Sequence, residues 1–161
     1  MIRDYQAIGA TWFERGHQKF IKTFGKHRGV KLVGCLDYES GDIYCEEHEN
    51  YNAQTFLEFL EKVLTRYDGQ IIMVVDNARI HHAKLLLPFL NLNKERFHLM
   101  FLPPYSPNLN LIKGLWKWMK GRVINNVFYG KTFEISKNVK SFVQDISKHP
   151  EVVIKRLCLG L

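Results

Sequence analysis

The residues best suited to chemistry begin where an apolar run stops. Gln70–Val75 has the continuous apolar sequence of a β-strand buried on both faces, and Asp76 follows it directly. Because ligands in open α/β sheets bind beyond the carboxyl ends of strands, Asp76 is placed to hold a hard divalent cation through its carboxylate oxygens. The alternative is that Asp76, helped by Asn77, caps the turn that follows. Position alone leaves both interpretations open.

Basic side chains accompany this carboxylate nearby and on a later predicted helix. Arg79 lies three residues after Asp76. Three lysines recur at i, i+4 and i+7 and therefore share one helix face: Lys113, Lys117 and Lys120. With two tryptophans close by, this face is suited to follow a phosphate backbone. The alternative is an ordinary solvated helix face, which is what a stripe of charges usually is.

The elements that must position these residues follow from hydrophobic periodicity and turn signals. The predicted strands are Lys19–Phe24, Val30–Tyr38, Gly41–Glu47, Gln70–Val75 and Phe97–Leu102. The predicted helices are Asn52–Tyr67, His82–Leu92 (with Pro88 inside it), Leu109–Ile124, Glu134–Lys148 and Pro150–Leu159. A hairpin followed by alternating helices and strands predicts an α/β fold with a mixed sheet, in which Gln70–Val75 is the central parallel strand.

Length and composition exclude several classes of protein. The chain has 161 residues, 46% of them hydrophobic and 24% charged, which is typical of one soluble globular domain. No apolar run approaches the roughly 20 residues that span a bilayer, and the N-terminus lacks the apolar stretch of a signal peptide, so we expect a cytoplasmic protein with no membrane partner. Three scattered cysteines argue against a disulfide framework or a zinc site.

The net charge of +7 is unevenly distributed along the chain. Residues 81–161 hold 13 Lys/Arg against 4 Asp/Glu, whereas residues 1–80 are slightly acidic. A second basic cluster lies between Arg15 and Lys31. Basic surface of this kind attracts polyanions, above all nucleic acid, through phosphate contacts and counterion release. Charge alone does not prove such a partner, because many basic proteins bind no nucleic acid specifically.

Two sequence blocks together resemble the signature of the IS630 transposases, within the IS630/Tc1/mariner group of DDE endonucleases. The first is Asp76-Asn77-Ala78-Arg79-Ile80-His81, and the second is the proline-rich stretch Leu102–Trp116. The resemblance implies a ribonuclease-H-like fold, and a site of three acids that holds two Mg²⁺ or Mn²⁺ ions and cleaves and rejoins DNA. It also places His81 near the active site, where we expect it to contact DNA together with Arg79, Lys117 and Lys120.

The chain departs from this pattern at the acids themselves. Asp76 falls on the second acid and is the expected metal ligand, but Lys113 occupies the third-acid position, and an ammonium group cannot ligate Mg²⁺. Asn108 and Leu111 also differ from the residues usual there. The family's first acid belongs before Met1, so we expect residues 1–161 to be a single, N-terminally truncated catalytic domain without its first core strand.

Three functional hypotheses follow from these departures. The first is a transposase catalytic domain that is inactive in this chain. The second is a non-catalytic DNA-binding or subunit-interaction fragment, and the third is the product of a decayed reading frame. An open strand edge favours pairing with another chain, so we also expect a homodimer.

Overall fold

Strands and helices alternate along the part of the chain that the structure describes, namely residues 2–3, 10, 12–17, 20–21, 29–104 and 109–158. In this computed structural model the strands are β1 (Ile2–Arg3), β2 (Gly29–Leu36), β3 (Ile43–His48), β4 (Ile71–Val75) and β5 (Phe97–Phe101). The α-helices are α1 (Ala53–Arg66), α2 (Leu87–Leu92), α3 (Leu111–Val123), α4 (Thr132–Ser147) and α5 (Pro150–Leu157). Most of the predicted strand Lys19–Phe24 lies outside the described residues.

The predicted hairpin is confirmed as the antiparallel pair β2–β3, whose last partners are Leu36 and Ile43. Gly41 closes its turn with φ 75° and donates its N–H to the Asp37 carbonyl oxygen at 2.9 Å. A Cβ atom at position 41 would lie 2.7 Å from the carbonyl oxygen of Pro150. Glycine is therefore required here both by the left-handed backbone and by the close approach of α5.

The helix predicted over Asn52–Tyr67 is confirmed as α1, with Asn52 as its N-cap. The Asn52 side chain accepts the Thr55 N–H at 3.0 Å, and the Thr55 hydroxyl oxygen accepts the Asn52 N–H at 2.9 Å. This reciprocal capping box satisfies two backbone donors at the helix start. The buried face of α1 carries Phe56, Phe59, Leu60 and Val63.

The strand predicted over Gln70–Val75 is confirmed as β4, which pairs in parallel with β5 from Ile71 opposite Phe97 to Val75 opposite Phe101. The prediction that this strand is buried on both faces is wrong. Ile72 is 61% exposed and Val74 is 48% exposed. The helix α1 covers the other face of β4, and no described residue covers the face that carries Ile72 and Val74.

The strands form two separate ladders within the described residues rather than one mixed sheet. The order is β1-β2-β3 in one and β4-β5 in the other, so β4 is hydrogen-bonded on one side only. β2 nevertheless belongs to both hydrophobic cores. Val30 packs with α3, α4 and α5, whereas Val33 packs with α1, β4 and β5. The hairpin is thus the structural link between the two halves.

The helix predicted over His82–Leu92 is only partly correct. Two 3₁₀ turns, Arg79–His82 and Lys84–Leu86, precede the short α2. Pro88 sits in the first turn of α2, where its missing N–H costs nothing, so it starts the helix instead of interrupting it. The three C-terminal helices are confirmed with boundaries shifted by about two residues. No helix in the described residues is long and apolar enough to cross a membrane.

Candidate functional site

The C-terminal edge of β4 is fixed by hydrogen bonds to the end of β5. The Leu102 N–H donates to the Val75 carbonyl oxygen at 2.9 Å, and the Asn77 side-chain amide donates to the Leu102 carbonyl oxygen. Asp76 lies in the chain between Val75 and Asn77, the two residues that make these hydrogen bonds. Its Oδ1 accepts the Ala78 N–H at 3.2 Å, and its side chain is 41% exposed. The capping role predicted for Asp76 is therefore confirmed, whereas its role as a metal ligand stays a prediction for a carboxylate that still faces solvent.

His81 is the buried polar residue behind this edge. It is 9% exposed, its ring centroid lies 4.4 Å from that of Phe56, and its Nδ1 lies 2.8 Å from the Asp76 carbonyl oxygen. Because a carbonyl oxygen only accepts, Nδ1 carries the proton in this bond. Nδ1 is also 3.3 Å from Asp76 Oδ1. His81 thus holds both the backbone and the carboxylate of Asp76.

Tyr51 completes this arrangement from the segment before α1. Its hydroxyl lies 3.4 Å from His81 Nε2, and it donates to that nitrogen in the tautomer that carries its proton on Nδ1 alone. Desolvation, followed by the negative charge of Asp76, raises the pKa of Tyr51 to about 12, so the hydroxyl keeps its proton at neutral pH. Nothing in the sequence pattern pointed to Tyr51, because its partner is thirty residues away.

The other residues predicted near Asp76 are turned outward. Arg79 is exposed at the start of the first 3₁₀ turn. His82 is exposed as well, where its ring stacks on Phe101 with 4.3 Å between centroids and its Nε2 lies 3.2 Å from Asn77 Oδ1. Arg79 therefore remains available to an external anion. His81 does not, because both of its ring nitrogens face partners inside the protein, and its predicted DNA contact stays a prediction that this geometry disfavours.

The three lysines lie on the exposed face of α3, as predicted. Leu115, Met119 and Val123 form the buried face of this helix, and Lys113, Lys117 and Lys120 are exposed. Lys113 and Lys117 line a cavity of about 400 Å³ together with Arg156 of α5. Arg156 is not among the residues predicted from the sequence, because only its charge, and no spacing, associates it with α3. No ion pair joins Lys113 to Asp76.

The second predicted basic cluster can be placed only in part. Arg15 is exposed, and the Lys31 ammonium donates to the carbonyl oxygen of Glu49 at 2.6 Å. Lys31 also lines a cavity of about 530 Å³ with Tyr51 and Trp116. The remaining members of the cluster, Lys19, Lys22, Lys26 and Arg28, lie outside the described residues.

The donor set does not fit a two-cation centre. Asp76 offers one carboxylate, and no group of three or more His, Cys, Asp or Glu side chains in the described ranges is arranged to hold a metal ion. Two hydrated divalent ions need several hard oxygen ligands from different elements. Lys113 contributes a positive charge where the resemblance requires an acid.

Comparison with known proteins identifies a family and a relative of this chain. A model of the family described as DDE superfamily endonuclease matches residues 1–135. The insertion element IS630 uncharacterized 39 kDa protein of Shigella sonnei is 28% identical over 145 residues, which are 89% of this chain and 42% of that protein. The chain thus spans less than half of this relative.

Solved structures share the fold. A Mos1 transposase paired-end complex with the left transposon end has a TM-score of 0.64 at 16% identity, covering 96% of this chain and 52% of that one. A Mos1 mariner paired end complex with Mn has a TM-score of 0.64 at 18% identity, covering 97% and 51%. These likenesses confirm the ribonuclease-H-like α/β fold. With the family model matching residues 1–135, the chain belongs to the DDE superfamily endonuclease family.

Proposed function

We propose that this chain is a DNA-binding catalytic domain of an IS630-type transposase that does not cleave DNA as it stands. The observation that carries this proposal is the charge at position 113. The chain keeps Asp76 at an exposed strand end, as a DDE site requires, but carries Lys113 at the position of the third acid. Cleavage by two cations needs both positions to attract metal, whereas an ammonium group repels it.

DNA is the proposed partner on two grounds. The solved structures that share the fold include Mos1 transposase with a transposon end. The C-terminal half of this chain is also strongly basic, and the lysines of α3 face solvent. Binding through phosphates depends on salt but not on a complete metal site. The proposed function therefore separates DNA binding, which the chain retains, from phosphodiester cleavage, which it does not perform.

Metal binding and nicking measured together test the catalytic half of this proposal. Mn²⁺ binding is followed by calorimetry on the chain as given and on Lys113→Glu, each with a supercoiled-plasmid nicking assay. Lys120→Glu is the matched control, because it makes the same charge change on the same helix, further along. We expect no binding to the parent or to the control, and measurable binding to Lys113→Glu.

Each outcome decides one part of the proposal. If Lys113→Glu gains Mn²⁺ affinity and the control does not, position 113 is a metal-ligand position, and the lysine there prevents metal binding. If neither variant binds Mn²⁺, charge at 113 is not what prevents metal binding, and that explanation of inactivity is rejected. Nicking by the parent chain in Mn²⁺ would overturn the proposal of inactivity directly.

A second candidate, a subunit-interaction module that forms a homodimer, has its own observation. Ile72, Val74 and Met100 are 61%, 48% and 54% exposed and share one face of β4–β5. Exposed apolar residues grouped in this way mark interaction surfaces. Sedimentation velocity over a concentration series tests it, with Val74→Lys as the variant. A dimer that Val74→Lys dissociates supports this candidate, whereas a monomer at every concentration rules it out.

A further inference from the structure

The cavity between α3 and α5 has an unusual lining for a protein surface. Lys113 and Lys117 approach it from α3, and Arg156 approaches it from α5. No acidic side chain is among the described residues that line it. Three cationic side chains around one cavity repel one another in the absence of an anion. The lining therefore favours a negatively charged occupant.

Close packing of the two helices builds this cavity. Gly114 faces α5, and a Cβ atom at this position would lie only 3.1 Å from Leu157 Cδ2. The helices are anchored beneath the cavity by Leu115 and Val153, both fully buried. The backbones that carry the cations are therefore held by the core and do not depend on the charges themselves.

Arg156 is oriented by an aromatic contact. Its guanidinium carbon lies 4.7 Å from the ring centroid of Trp118, and Trp118 packs edge-to-face on the buried Phe142 at 5.4 Å. A cation–π contact fixes the guanidinium while leaving its N–H donors available. No ion pair within the described residues involves Lys113, Lys117 or Arg156. Among the described residues, no carboxylate therefore compensates their positive charges.

We propose that this cavity is a phosphate site, in which Lys113, Lys117 and Arg156 bind a backbone phosphate of DNA without a divalent metal. The inference rests on the proposed function, which makes DNA the partner. An acid at position 113 would hold a cation there, whereas the lysine found there holds an anion. Lysine in place of an acid at position 113 removes a metal ligand. The same lysine supplies a positive charge that can bind a phosphate oxygen. Arg156 adds planar donors suited to such oxygens.

The test is DNA binding in excess EDTA, measured by fluorescence anisotropy of a labelled duplex over a salt series. The site variant combines Lys113→Gln, Lys117→Gln and Arg156→Gln. The control variant combines Lys137→Gln, Lys140→Gln and Lys148→Gln, which removes the same charge from exposed positions on and just after α4. Circular dichroism melts establish that all three proteins are folded.

We expect the site variant to lose more than about tenfold in affinity at low salt, and the magnitude of its slope of log K against log salt to fall by about 1, because the site neutralises one phosphate. The control variant loses less than about threefold. Mg²⁺ added at constant ionic strength does not raise the affinity of the parent, since the cations of this site belong to the protein.

The other outcomes separate this proposal from the one on which it rests. A parent chain that binds no DNA overturns the proposed function itself. If the parent binds DNA and the two triple variants lose affinity equally, the proposed function stands and the phosphate site is rejected. If inorganic phosphate at matched ionic strength displaces the duplex from the parent at low millimolar concentration, the ligand is free phosphate, and the assignment to DNA is overturned.

Discussion

The two sides of this molecule treat charge in opposite ways. Around α1, charged side chains are paired, Asp42 with Arg66 and Glu46 with Lys62, and the Asp76 carboxylate lies beside the His81 ring. Around α3 and α5, no carboxylate of the described part of the chain forms an ion pair with the cations that line the cavity. The paired charges join strands to helices and therefore belong to the architecture. The unpaired charges lie on exposed side chains, and although Arg156 packs on Trp118, they remain available to bind an anion from outside.

Substitutions that remove the interactions around α1 should lower the unfolding free energy. His81→Ala should show the largest effect. The substitution removes the donor to the Asp76 carbonyl oxygen and the ring that packs on Phe56. A buried acceptor left without its donor, together with the lost packing, costs about 2–3 kcal/mol of unfolding free energy. Urea denaturation measures it.

The neighbouring histidine supplies the control for this prediction. His82→Ala, at an exposed position, should cost less than about 1 kcal/mol. DNA affinity should be the same in both variants. If His81→Ala keeps its stability but loses DNA affinity, His81 contacts DNA as the family resemblance implied, and the buried arrangement is not the one that binds.

The difference between His81 and α1 shows what the sequence could predict and why. The helix over Asn52–Tyr67 was predictable, because its cap and its apolar period are local signals. The burial of His81 was not, because it depends on Phe56 and Tyr51, which only the folded chain brings to it. The exposed face of β4 escaped prediction for a related reason. An apolar run reports what could be buried, not which neighbours are present to cover it.

A smaller effect is expected at Glu46, where the pairing depends on pH. Burial alone would raise the pKa of this carboxyl, but hydrogen bonds from Lys62, Tyr44 and His48 outweigh it, so the pKa is lowered. A lowered folded-state pKa gives stability that is present above the unfolded-state pKa and lost as pH falls through the folded-state value. Glu46→Gln should therefore cost about 1 kcal/mol at neutral pH.

The pH dependence of stability distinguishes the Glu46–Lys62 ion pair from uncharged packing. The stability difference between the parent and Glu46→Gln should shrink as the pH falls below about 4, where the unfolded-state carboxyl also protonates. Glu61→Gln, at an exposed position on α1, is the control and should show almost no difference at any pH. A difference for Glu46→Gln that stays constant through acid would mean that its charge is not what joins β3 to α1.

The smallest expected effect is on the unfolding free energy at Lys113. Replacing a paired residue around α1 should lower this free energy, whereas replacing the unpaired Lys113 should raise it. Lys113 lies in the first turn of α3, where the helix dipole disfavours positive charge, and this turn contains no acid. Lys113→Glu should raise the unfolding free energy by about 0.5 kcal/mol, through the dipole and an i,i+4 pair with Lys117. Lys120→Glu, in the last turn of the helix, should lower it by a similar amount.

Thermal unfolding at low salt measures both changes, and added salt should reduce them together because they are electrostatic. A chain that becomes more stable when Lys113 is replaced, yet loses metal-free DNA affinity, carries that lysine for binding and not for folding. If Lys113→Glu instead lowers the melting temperature, Lys113 stabilises the fold. The cations around α3 and α5 would then be structural, as the paired charges around α1 are, and the contrast between the two regions would be lost.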